Sequence, residues 1–300
     1  MSFSFSDFAA ALKAGARISA EDVLGLRRQV WPDGSISADE ADQLFELNRL
    51  ARESDPEWAD FIIEAMTDHV LNAKAPRGYI DEDNAAWLIS QVDRDGALVT
   101  ATELELVVKL LEKALNAPAS LKAWSLRQIE AGVIADGAIG EDEAKLLRRI
   151  LFAAGGEGAL TVSQDEAELL WRLKDACLSA DNAPGWKTLF VQAVGNHLMA
   201  WSSYTPLERG AAARLEAFVD DHSSNVLGFL SRMRGANPAA EARRLLAEKA
   251  PSPDHDADVD AARAITQGEK NWLQSHVDAD GARDPYEEAL LAFVAEESSR

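Results

Sequence analysis

Apolar residues recur at intervals of three and four along most of the chain. Leu44, Leu47 and Leu50 form one such set; Leu104, Val107, Val108 and Leu111 a second; Leu146, Leu147, Ile150 and Leu151 a third. That spacing gathers them on one face of a helix. No stretch alternates apolar and polar residues convincingly, as a half-buried strand would. The pattern predicts an all-α protein of roughly a dozen or more helices.

Helix starts are written into the polar positions. Ser37-Ala38-Asp39-Glu40, Thr100-Ala101-Thr102-Glu103, Ser163-Gln164-Asp165-Glu166, Thr205-Pro206-Leu207-Glu208 and Thr266-Gln267-Gly268-Glu269 all read as capping boxes. In each, the hydroxyl can accept from the N3 backbone N–H while the Glu reaches back to the cap's own N–H. Asp284-Pro285-Tyr286-Glu287 is a close variant with proline at the first helical position. An aliphatic residue stands just before the cap at Ile36, Val162 and Ile265, half of a hydrophobic staple.

The elements repeat. Ile18-Ser19, Ile80-Asp81, Ile139-Gly140 and Ile265-Thr266 each open a block in which a short apolar-periodic stretch and an acidic-Gly turn follow in order, and a second, longer periodic stretch ends three of the four. The turns are Asp33-Gly34, Asp95-Gly96, Glu157-Gly158 and Asp280-Gly281. Such self-similarity predicts about four tandem helix–turn–helix units forming a helical array. The expected organisation is an N-terminal helix over 1–17, three units over 18–199, a helical insertion and linker over 200–263, and a truncated fourth unit over 264–300. The fourth unit lacks its long arm, so its apolar face needs a cover from the insertion or from another chain. The long arms of the first and third units match closely, Trp58, Phe61, Ile62 and His69 against Trp186, Leu189, Phe190 and His197. The two histidines share a position, and a ring packed at a helix end with one nitrogen satisfied is the simpler reading than a metal ligand.

Charge sharpens the functional picture. The chain carries 51 acidic against 30 basic residues, a net charge of −21. It repels nucleic-acid phosphates and anionic lipid, and it favours cations or basic protein partners. No stretch approaches the length of apolar sequence that spans a bilayer. The N-terminal residues lack the basic and apolar regions of a signal peptide, so the expected location is the cytoplasm. One cysteine, Cys177, excludes an internal disulfide; it falls at helical spacing from Leu170 and Leu173, as a small core residue would.

The acidic-Gly turns are the candidate chemistry. Asp33-Gly34-Ser35-Ile36 leading to Glu40, and Asp136-Gly137-Ala138-Ile139 leading to Glu143, match the second half of an EF-hand loop. Asp93 and Asp95, and Asp278 and Asp280, supply the preceding acid pair in two other loops. Asp33, Glu40, Asp93, Asp95, Asp136, Glu143, Asp278 and Asp280 are thus candidate ligands for a divalent cation, Ca²⁺, Mg²⁺ or Mn²⁺. No loop holds the full set of oxygens such a cation takes. A tight turn followed by a capped helix asks for the same residues on backbone grounds alone. Zinc spacings, phosphate-cradling glycine loops and nucleophile elbows are absent from the sequence.

Residues 133–147, an apolar run, Ala135-Asp136-Gly137, an aliphatic residue, Glu143 and an amphipathic helix, resemble the signature of bacterial tellurite-resistance TerB-like domains, and 31–41 are similar. The resemblance implies compact all-helical cytoplasmic modules, tied to metal-linked stress responses and to acidic, cation-binding surfaces. The leading expectation is a non-catalytic, cation-responsive binding protein that docks a protein partner. The alternatives are a metal-independent scaffold or homodimer, and a hydrolase with a carboxylate-lined cleft.

Overall fold

The computed structural model describes residues 5–15, 17–30, 36–51, 54–73, 75–93, 100–153, 155, 161–199, 267–277, 281 and 283–297. Among these residues the chain forms twelve helices and no strand, the all-α fold that the periodicity predicts. The insertion read over 200–263 and the hydroxyl caps Thr205 and Thr266 lie outside the described residues.

After α1 (Phe5–Lys13), helix lengths recur in order. α2 (Ala20–Val30), α3 (Ala38–Leu50) and α4 (Pro56–Asn72) have 11, 13 and 17 residues. α5 (Glu82–Val92), α6 (Ala101–Lys113) and α7 (Ala119–Asp136) have 11, 13 and 18. α8 (Glu141–Leu151), α9 (Gln164–Ala176) and α10 (Pro184–Met199) have 11, 13 and 16. α11 (Gln267–Val277) and α12 (Pro285–Glu297) have 11 and 13. The long arm of each of the first three blocks is therefore a helix in its own right, and a helix–turn–helix description of them is one helix short.

The caps explain where the 13-residue helices begin. Ser37, Thr100 and Ser163 stand 63 residues apart, and each forms a complete capping box with the Glu three residues on. The backbone N–H groups of the three caps donate to Glu40, Glu103 and Glu166 at 2.9, 2.9 and 2.8 Å. Glu103 and Glu166 are buried, whereas Glu40 is partly exposed. Loss of a cap costs about 1 kcal/mol, with a ceiling near 2. Thr100→Ala and Ser163→Ala are expected to lie above Ser37→Ala on that scale when all three are unfolded in urea, because the backbone N–H that loses its hydroxyl acceptor belongs to a buried residue. At the other end, α7 stops at Gly137, whose left-handed backbone (φ 77°) suits a residue without Cβ.

Three of the isoleucines that open the blocks are core residues, with Ile18 and Ile139 fully buried and Ile80 nearly so, while Ile265 lies outside the described residues. Their backbone ties the start of a short helix to the start of a long one. Asp55 N–H donates to the Ile18 carbonyl at 2.9 Å, and Ala183 N–H to that of Ile139 at 2.8 Å. Ile80 N–H donates to the Asn116 carbonyl at 2.9 Å.

The long helices are the hubs. α4 packs against α2, α3 and α6; α7 against α5, α6, α8 and α9; α10 against α8, α9 and α12. Buried apolar side chains run as one core from Leu12 to Leu290. α12 lies close on α10 because residue 195 is glycine: a Cβ there would stand 2.5 Å from the Phe293 ring. Part of the fourth block's apolar face is thus covered by the chain's own α10. Among the described residues no helix is long and apolar enough to cross a membrane.

Candidate functional site

Four of the eight candidate cation ligands, Asp33, Asp95, Asp278 and Asp280, lie outside the described residues. The other four have visible surroundings. Glu40 accepts from the N–H and hydroxyl of Ser37, at 2.9 and 2.7 Å. Glu143 folds back over Gly140, the cap of α8, with Oε2 2.6 Å from where a Cβ would stand. Asp93 closes α5 and accepts from the Trp124 indole N–H at 3.1 Å. Asp136 is the exposed last residue of α7. The two EF-like stretches also occupy different places: 33–40 leads from an 11- to a 13-residue helix, whereas 136–143 joins an 18- to an 11-residue helix. Among the described residues no group of three or more His, Cys, Asp or Glu side chains is placed to hold a metal ion.

A different constellation recurs where one group of helices meets the next. The fourteenth residue of a long helix, the sixth of the following 11-residue helix and the fifth of the preceding 13-residue helix come together. In the first case these are His69, Trp87 and Asp42. The His69 and Trp87 rings lie 5.5 Å apart, and Trp87 N–H donates to Asp42 at 3.3 Å. Gln91 adds a second donor to the same Asp42 oxygen at 2.9 Å. The corresponding residues near the C-terminal end are His197, Trp272 and Glu168. Here the rings lie 5.1 Å apart and the indole N–H donates to Glu168 at 2.6 Å. His276 takes the place of Gln91 and meets Glu168 through Nε2 at 3.0 Å. Burial opposes the charge on Glu168, but the Trp272 and His276 donors outweigh it and hold its carboxyl below the usual range.

The paired histidines are explained by the same geometry. Nδ1 of His69 faces the Ile36 carbonyl at 2.7 Å, and Nδ1 of His197 faces that of Val162 at 3.1 Å. A carbonyl only accepts, so Nδ1 carries the proton in both. Each histidine therefore satisfies the backbone of the staple residue just before a cap.

Between these two junctions, the same three positions hold Gly132, Leu146 and Glu105. Neither ring is there. A groove of about 590 Å³ opens instead, lined by Leu104, Ile129, Gly132, Val133 and Leu146, with Asp136, Asp142, Glu143 and Lys145 toward its rim. The carboxylate is bridged from the next helix as before. Arg149 binds Glu105 through two nitrogens, at 2.6 and 2.9 Å, and Glu112 through two contacts, at 2.7 and 3.0 Å. Those hydrogen bonds hold the Glu112 carboxyl down and raise the Arg149 guanidinium further. A Cβ on Gly132 would meet nothing within 4 Å. Gly132→Ala is therefore expected to stabilise the protein by about 0.5–1 kcal/mol, the helix-propensity difference, read as an upward shift of the urea midpoint.

A larger groove, about 990 Å³, lies beside α7 and α9 and includes Lys122, Arg127, Asp165, Glu166, Glu168 and Arg172. It is the nearest approach to the carboxylate-lined cleft expected of a hydrolase. Two of its three acids are already engaged. Glu166 caps α9 and receives Lys122 Nζ at 2.7 Å, while Glu168 holds Trp272 and His276. Among the described residues the carboxyls moved clearly from their usual range are Glu112, Glu168 and Asp284, and all three move down. A general acid needs the reverse.

The most buried charges sit between α9 and α12. Lys174 is 2 % exposed, and its Nζ donates to Asp284 at 2.6 Å and to Glu287 at 2.7 Å. Burial works against the ammonium, yet the bonds to Asp175, Asp284 and Glu287 outweigh it and raise its pKa. Asp284 also caps α12, accepting from the N–H groups of Tyr286 and Glu287 at 2.7 and 3.0 Å, as the variant capping box predicts. Cys177, at the end of α9, is 1 % exposed and burial pushes its thiol up, so it behaves as the core residue expected.

Sequence reasoning missed Lys174, Arg149 and the carboxylates at Asp42, Glu105 and Glu168. The last three had a signal: each stands five residues after a capping hydroxyl, 63 residues from the next. No protein-family model, curated protein or solved structure matches this chain.

Proposed function

We propose that the chain is a non-catalytic, acidic interaction scaffold: a tandem array of three-helix units that docks a protein partner without the help of a metal ion. One observation carries the reading. Among the described residues, Glu40, Glu103 and Glu166 serve the fold as caps, and Asp42, Glu105 and Glu168 as ties between helices, which leaves few carboxylates placed to share a cation or to catalyse. The recurring lengths of 11 and 13 residues, and the capping boxes 63 residues apart, support the array. The likeness of residues 133–147 to TerB-like domains points the same way as to architecture.

Thermal melts with millimolar Ca²⁺, Mg²⁺ or Mn²⁺ test the metal-independent part. A cation binding only the native state at a hundred times its dissociation constant would add about 2.7 kcal/mol. The expected result is an unchanged melting temperature. A rise that Asp93→Asn abolishes would overturn the reading and restore a cation-responsive module.

A further inference from the structure

We infer that the groove between α6, α7 and α8 is a binding site for an aromatic side chain, an indole above all, carried beside cationic residues on a partner peptide. The inference rests on the scaffold reading and names its site. The argument begins with what fills the same place elsewhere. At the junctions on either side, a histidine from the long helix and a tryptophan from the next short helix pack against each other, tilted in one case and edge-to-face in the other. At the middle junction Gly132 replaces the histidine and Leu146 replaces the tryptophan, and about 590 Å³ is left open.

The floor suits an aromatic guest. Ile129 and Val133 are almost wholly buried, and Leu104 and Leu146 are partly buried. A flat apolar ring over such a floor gains most from leaving water. The polar partner of the indole is also in place. Trp87 and Trp272 donate to Asp42 and Glu168, and Glu105 occupies that position here. Arg149 takes one contact from each Glu105 oxygen, and a carboxylate accepts about four in all, so a guest N–H has an acceptor. Charge selects the rest of the partner. Asp136, Asp142 and Glu143 outnumber Lys145 at the rim, on a protein of net charge −21. Cationic residues flanking the aromatic are drawn to that rim, and anionic ones are repelled.

The test uses the full chain and the probe peptide acetyl-Lys-Trp-Lys-amide, titrated by calorimetry and by amide NMR. Saturable binding is expected, with shifts confined to α6, α7 and α8. Acetyl-Lys-Ala-Lys-amide should bind at least about tenfold more weakly, since the ring is the anchor. Gly132→His/Leu146→Trp rebuilds the ring pair of the neighbouring junctions and should abolish binding. Should that variant not fold, Asp136→Asn/Asp142→Asn decides, because both side chains are exposed. It should weaken the cationic peptide and leave neutral N-acetyltryptophanamide unchanged. Equal binding of the alanine peptide, unaltered binding to the filled or neutralised variants, or no saturable binding at all would overturn the inference. A dimer seen by sedimentation and dissolved by the filled variant would assign the groove to a second copy of the chain, and would overturn it too. The cation melts turn on Asp93, which does not line the groove, so the scaffold reading and this site fail separately.

Discussion

Lys174→Ala is expected to remove about 3–5 kcal/mol of folding stability, a large share of what a domain possesses. The loss comes from what stays behind. Asp284 and Glu287 are 10 % and 3 % exposed in their side chains, and without the ammonium two carboxylates share a buried site. Urea unfolding at pH 7 reads the effect. The triple change Lys174→Met/Asp284→Asn/Glu287→Gln removes every buried charge of the cluster, keeps a capping oxygen on residue 284, and should recover more than half of the loss. A triple variant as unstable as Lys174→Ala would show that packing, not charge, holds α12 in place.

The pH dependence follows from Asp284. Burial alone would raise its carboxyl, but Lys174 and the two backbone N–H groups outweigh it and hold the pKa below the usual value. A depressed carboxyl contributes stability that is complete above its unfolded pKa of about 3.9 and fades as the pH falls through the lower folded value. The wild type should therefore lose stability below about pH 4, in the range set by that carboxyl. Lys174→Ala should lose less over the same range, because protonation relieves its stranded carboxylates. The gap between the two proteins narrows toward acid. A gap constant from pH 7 to the acid limb would remove the charge argument.

Trp58→Ala and Trp186→Ala are each expected to cost about 3–5 kcal/mol, as removal of a large buried aromatic does. Phenylalanine separates the two sites. Trp58 N–H donates to Asn48 at 3.0 Å, and Trp58→Phe leaves that oxygen short of a partner. Trp186 N–H has no acceptor among the described residues. The reason lies in the neighbouring helix: Asn48 is the eleventh residue of α3, and the eleventh of α9 is Lys174, which offers no acceptor. Trp186→Phe removes an unmet donor, so it should cost less than Trp58→Phe by about 1 kcal/mol or more. Equal costs in urea unfolding would refute the account.

The readable parts of this fold are local. Each capping box needs only four residues in a row, and the three that fall wholly on described residues form as written. The core position of Cys177 follows from helical spacing. The shared role of His69 and His197 was signalled by matching neighbours, although their Ile36 and Val162 acceptors lie 33 and 35 residues away. The unreadable parts are contacts across long separations with no local trace. Nothing in the sequence around Lys174 marks it as buried, and its partners lie 110 and 113 residues on. The groove is harder still, since its signal is a missing ring: Gly132 and Leu146 look ordinary until their counterparts are seen to be histidine and tryptophan. Asp136 and Glu143, chosen as cation ligands, do line that groove, but the spacing that selected them also ends one helix and starts the next.

The pinning of α12 to α9 and α10 has a topological consequence. Those contacts join residues before position 200 to residues after position 283, so they hold whether or not the covalent chain between them is whole. Cleavage at a single point in 200–266 would leave two fragments bound through a buried ion cluster and an apolar seam. Grafting that stretch away, or re-routing the termini through it, changes the connectivity of the molecule and leaves in place the described helices on either side of it.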